Sequence, residues 1–215
     1  MKFLALIGCT LVSFLSLKAQ NGYIRLSTDS LLTGYIKTVY DFNDNQHVLE
    51  FWRTKNDKDP ARFFKSEIEE YAINKDTFRI LRNFQPFPSG DFFLHDIDAE
   101  VLQSGRIELL KVRNPYYKDK SLPLPIPVDG GVIITVSARL FEEPIENVPT
   151  IFILRTPRNN FMRGVPSVDE AFREVIHEFF SPLAIESFEK ENGKLTFRKL
   201  EKLVAYYNIK TSKRL

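Results

Sequence analysis

The stretch DIDAEVLQSGRIELLKV, Asp96 to Val112, decides the fold class. Ile97, Ala99 and Val101 alternate with Asp96, Asp98 and Glu100, the period-two pattern of a strand with one buried face. Ser104-Gly105 follows, and Gly105 suits a turn that needs positive φ. Ile107 to Val112 then returns as a second apolar strand, so the segment predicts a β-hairpin. The same signature recurs upstream. Short strands are expected at Tyr23 to Ser27, Gly34 to Tyr40, Val48 to Arg53, Tyr71 to Ile73 and Thr77 to Leu81, with Leu49 and Phe51 on one face and Val48, Glu50 and Trp52 on the other. Polar clusters at 41–45 and 55–60 separate them, where side-chain to backbone hydrogen bonds compete with ladder pairing.

Downstream of the hairpin, Asn114 to Gly131 contains Leu122-Pro123-Leu124-Pro125-Ile126-Pro127, whose alternating prolines exclude helix and predict an extended surface strap. Val132 to Phe141 and Thr150 to Arg155 read as two more strands. The period changes near Ser167, where Val168, Ala171, Phe172, Val175, Ile176 and Phe179 fall at helical spacing and Ser167 with Glu170 forms a capping box. Ser181-Pro182 predicts a cap and first helical position, Asn192-Gly193 ends that second helix, and a third starts at Thr196. The chain is thus expected to be α+β: a β-rich body of short antiparallel strands in a roll or barrel-like sheet over residues 20–157, with C-terminal amphipathic helices over 158–215 packed on it as one unit. Short helices cannot bury their apolar stripes alone.

The first nineteen residues place Lys2 ahead of the apolar run Phe3 to Leu17 and end on a small-residue exit at Ala19, the arrangement of a Sec-type leader cut before Gln20. The run is shorter than the roughly 20 residues of a membrane span. A lipobox reading of Leu6-Ile7-Gly8-Cys9 leaves too few residues ahead of Cys9 for a charged start and a full apolar segment. Export places the protein in the periplasm, at the outer membrane or outside the cell. Cleavage also removes Cys9, the chain's single cysteine, and with it disulfide, thiolate-metal and cysteine-nucleophile chemistry. Of the 30 basic and 28 acidic residues, Lys2 and Lys18 leave with the leader, so the mature signs balance and nucleic acid is not an expected partner. No later segment is apolar for long enough to span a membrane.

The order of features resembles a family of small exported proteins widespread in Bacteroidota. The opening Gly22-Tyr23-Ile24 with Asp29-Ser30-Leu31-Leu32-Thr33-Gly34-Tyr35-Ile36, the turn Phe64 to Tyr71, the hairpin within Phe93 to Leu110 and the closing helix Leu200 to Asn208, with its "L-x-x-L-V-x-Y-Y-N" pattern, carry the resemblance. The family's aspartate-cysteine pair is absent at Ser181-Pro182-Leu183, and 114–149 has no counterpart. The resemblance implies export, a β-rich body and a helical tail, and no assigned activity.

Chemistry-bearing motifs are few. Glu174 and His177 stand three apart on one helix, but a di-iron site needs a second such pair. His95 and Asp96 are adjacent on extended chain and point to opposite faces. Glu69-Glu70 and Glu142-Glu143 are carboxylate pairs of the kind glycoside hydrolysis uses, yet with 28 acids such pairs arise by chance. Gly-x-Ser-x-Gly, a phosphate loop and a dinucleotide fingerprint are all missing. No cofactor, metal or catalytic residue is expected. Core burial is the expected fate of Trp52, and an exposed aromatic platform formed by Trp52, Tyr116 and Tyr117 is the functional alternative. Elimination leaves a non-enzymatic exported protein that binds an envelope or extracellular macromolecule. The alternatives are a glycan- or small-molecule-binding module, or an unrecognised hydrolase.

Overall fold

A computed structural model of the chain describes residues 19–41, 46–87, 93–115 and 149–212. Within them, ten strands form one antiparallel sheet: β1 Gln20–Leu26, β2 Leu31–Asp41, β3 Gln46–Trp52, β4 Ala61–Phe64, β5 Ile68–Ile73, β6 Asp76–Leu81, β7 Ile97–Gln103, β8 Glu108–Arg113, β9 Thr150–Thr156 and β10 Phe161–Val165. The order is β10-β9-β8-β7-β6-β5-β1-β2-β3-β4. Two meanders therefore share a seam: β1 to β4 run one way, and the chain returns to lay β5 along the free side of β1 and continue to β10.

The hairpin pairs as its alternation requires, Ala99 opposite Val112 and Val101 opposite Leu110, with a register shift before Gln103. The predicted leader, most of the proline-rich strap and the strand at Val132 to Phe141 lie outside the described residues. Asn114 and Pro149, which flank that connection, are tied by a 3.0 Å bond from the Asn114 N–H to the Pro149 carbonyl. β4 and β10 were not expected. The sheet also runs on to Val165, past residue 157, where the sequence reading ends the β-rich body.

Strand alternation gives the sheet two distinct faces. On one, Ile24, Ile36, Leu49, Phe51, Ile68, Tyr71 and Ile80 form an N-terminal core, while Leu109, Leu154 and Val165 pack against the helices. On the other, Ala99, Leu110, Val112, Ile151 and Ile153 lie under Phe84 and Leu94 of the β6–β7 connection. Gly22 and Gly34 are register partners on the first face. A Cβ on Gly22 would lie 1.9 Å from the Ala72 carbonyl oxygen, and one on Gly34 would lie 2.2 Å from that of Trp52. Only glycine permits backbone so close at this point.

Both ends of the ladder are protected against strand addition. β4 is four residues long, follows Pro60, and has the Phe64 N–H bound by Glu67 Oε2 at 2.8 Å. On β10 the Gly164 N–H donates to the Pro86 carbonyl at 2.8 Å.

The helices are α1 Asp169–Phe179, α2 Pro182–Asn192 and α3 Leu200–Ser212, the last entered through a 3₁₀ turn at Phe197–Lys199. α2 is capped as its sequence predicts: the Ser181 hydroxyl accepts from the Ala184 N–H, and Gly193 at φ 73° ends the helix. α1 differs. Its N-cap is Val168, whose side chain has no acceptor, so the expected Ser167–Glu170 box does not form the cap. Phe172, Ile176, Phe180, Phe188, Leu200, Leu203 and Val204 join sheet residues in one continuous core. Phe180 meets Tyr207 and Phe188 meets Tyr206 edge-on, at 5.2 and 5.6 Å between ring centres. None of the described helices is long and apolar enough to cross a membrane.

Candidate binding surface

Trp52 ends β3, directly opposite Tyr35 of β2. Alternation places both on the face opposite Ile36 and Phe51, away from the helices. Both are half-buried and neither belongs to any of the three core clusters, so the expected core fate of Trp52 is not what the structure shows. The Trp52 indole N–H has no partner among the described residues. Lys55, just beyond the strand, holds its ammonium 5.3 Å from the Tyr35 ring centre, a cation–π contact that fixes this tyrosine's surroundings. Thr33, Asn21 and Tyr23 fall on the same face by register. The result is an aromatic pair with polar neighbours, in which each ring offers an apolar body and a hydrogen-bonding tip. Tyr116 and Tyr117 lie outside the described residues.

Across the same face runs a row of paired charges. Tyr23 Oη donates to Glu70 at 2.5 Å, and Arg79, the register partner of Glu70, meets it at 2.7 Å. Arg79 then reaches past β7 to Glu108 on β8 at 2.7 Å, and Glu108 takes a second guanidinium from Arg155, its register partner on β9, at 2.6 Å. The β7 partner of Arg79 is Ala99, whose methyl leaves the way across that strand open. Glu70 and Glu108 are 7% and 3% exposed, a depth at which carboxylates require such partners. Burial, and then the bond to Glu70, raises the Tyr23 hydroxyl above its ordinary range. Burial lowers the Arg79 guanidinium, but the carboxylates of Glu108 and Glu70 outweigh it and leave it raised. Sequence reasoning could not find this row, because its members lie on five strands and are unremarkable singly.

A second charged group lies on the opposite face. Lys65 Nζ contacts Asp98 Oδ2, and burial, then Asp98, raises the Tyr71 hydroxyl. Asp98 Oδ1 is enclosed without a hydrogen-bond partner. Arg82 donates to the carbonyls of Lys65, Ser66 and Ile68, which pins the turn that carries Lys65.

The histidines do not converge. His47 meets Tyr40 edge-on, His95 Nδ1 lies 2.6 Å from Asn83 Oδ1, and His177 stands exposed on α1 with Glu174. Among the described residues no three metal-ligating side chains come together. Glu69 and Glu70 alternate across β5 rather than facing one another. No family model, no curated protein and no solved structure matches the chain.

Proposed function

We propose that the protein is an exported, non-enzymatic binding protein that engages an envelope or extracellular macromolecule through the face bearing Tyr35 and Trp52. One observation carries the reading: the chain's only tryptophan is left out of all three core clusters, its indole N–H has no partner among the described residues, and it lies on the face opposite Ile36 and Phe51. Tryptophan and tyrosine so placed favour association, since a large ring can be desolvated while its polar tip finds a partner. The charged residues nearby support binding over catalysis, because Glu70, Arg79, Glu108 and Arg155 neutralise one another. Export rests on the leader, and β1 begins at Gln20, so a cut after Ala19 takes nothing from the sheet.

The same reading includes membership of the Bacteroidota family named above and a roll-like coiling of the sheet around the Ile24, Ile36 and Ile68 core. The glycine pair Gly22 and Gly34 supports the coiling. The test is affinity capture of tagged protein from the native envelope after mild crosslinking, beside a Tyr35→Ala/Trp52→Ala form of unchanged circular dichroism. A partner retained by the parent and lost from the variant is expected. An identical set from both, or no partner above an untagged control, overturns the reading.

A further inference from the structure

Between α1 and α2 lies an open cleft of about 310 Å³. We infer that it binds a small zwitterion with an apolar side chain, an α-amino acid or dipeptide. The inference stands on how the two helices distribute charge. α1 places Arg173 and His177 one turn apart on one wall, and α2 places Glu186 and Glu189 on the other. One wall therefore offers N–H donors and positive charge, and the other offers carboxylates.

Opposite charges lining one cleft would be expected to pair. Among the described residues no ion pair crosses it: Arg163 takes Glu178 on a different side of α1, and Lys210 takes Glu191 beyond the end of the cleft. Glu189 is held by a 2.7 Å bond from the Leu195 N–H to its Oε1, which keeps the acidic wall in place. The floor is apolar. Ile176 and Leu195 are 1% and 6% exposed, and Ile185 is half-buried above them.

A free α-carboxylate matches the planar fork of Arg173, which binds carboxylates by two parallel N–H bonds. The α-ammonium of the same molecule reaches Glu186 and Glu189, and its side chain packs on Ile185 and Pro182, above the buried Ile176 and Leu195. Volume agrees, since the cleft sits at the small end of ligand sites. Exposed ionic contacts are individually weak, so the site needs both charged ends together with the apolar floor. A Kd on the order of 1 mM or tighter is expected for a ligand of this size.

The probe is leucyl-leucine, titrated into the purified ¹⁵N-labelled protein and followed by the amide shifts of α1 and α2, beside the N-acetylated, C-amidated form of the same dipeptide. Saturable shifts centred on Arg173, His177 and Glu186 are expected, at least about tenfold weaker for the capped form. Arg173→Gln and Glu186→Gln, both at exposed helical positions, are each expected to weaken binding about fivefold or more with circular dichroism unchanged. Equal binding of the capped dipeptide, shifts that map elsewhere, variants that bind like the parent, or no saturation at about ten times the expected Kd would each overturn the assignment.

Discussion

The side chain of Asn208 pairs with the backbone of Ile107 as a neighbouring strand would: its Oδ1 accepts the Ile107 N–H at 3.1 Å and its Nδ2 donates to the Ile107 carbonyl at 2.8 Å. Nδ2 also reaches the Ser104 carbonyl at 3.2 Å. One residue near the end of α3 thereby closes the turn of the β7–β8 hairpin. Gly105 completes the fit, because its φ of 148° suits glycine and a Cβ there would lie 2.6 Å from the Asn208 side chain.

Asn208→Ala leaves both backbone groups of a buried residue without this partner. A loss of about 2 kcal/mol in urea unfolding is expected, since unmet buried donors and acceptors cost more than the bond itself contributes. A loss indistinguishable from zero would show that water replaces the amide at no cost.

Glu108 sits between two guanidiniums at 3% exposure. Glu108→Gln leaves Arg79 short of one carboxylate and Arg155 with none among the described residues, and is expected to cost about 3–5 kcal/mol, the scale of a broken buried pair. Glu191→Gln, which breaks the solvated contact with Lys210, is expected to leave the unfolding midpoint unchanged. Burial, not the number of ion pairs, separates the two outcomes.

Alkaline pH tests the raised tyrosines. Tyr23 and Tyr71 both ionise above the ordinary value of 10.0 when folded. Above pH 10 the unfolded chain therefore releases protons that the folded chain keeps, and stability falls as pH rises. Below pH 10 the contribution is fully present. Tyr71→Phe removes one such group, so the variant's stability is expected to fall less steeply between pH 10 and 11 than the parent's, as followed by denaturant titration at each pH. Equal slopes would contradict the assignment.

Fluorescence tests the setting of Trp52 directly, because no other tryptophan contributes. A half-buried indole outside the cores is expected to emit towards the red and to be quenched by acrylamide in the folded protein. Blue-shifted emission that resists quenching would place the ring in a core.

The hairpin at 97–112, the strand at 150–156 and the capped second helix were legible because each rests on a local pattern: period two, a glycine turn, Ser-Pro ahead of a helical stripe. β4 and β10 were not. Ala61 to Phe64 spans only four residues behind a polar run, and Phe161 to Val165 is broken by Arg163 and Gly164, so each becomes a strand only through its neighbour. The α1 cap also went astray, because Ser167 satisfies the local motif while the chain enters the helix one residue later. Alternation correctly separated Trp52 from Phe51 by face. It could not tell which face of β3 would join the N-terminal core of Ile24, Ile36 and Ile68, and that long-range choice decides whether Trp52 is core or surface.

The most direct test is a photo-crosslinking amino acid at position 52, activated in living cells, beside the same group at Lys202 on the exposed side of α3. A discrete adduct from position 52 and none from 202 is the predicted result. No adduct from 52, or the same adduct from both, would contradict a binding role for this face.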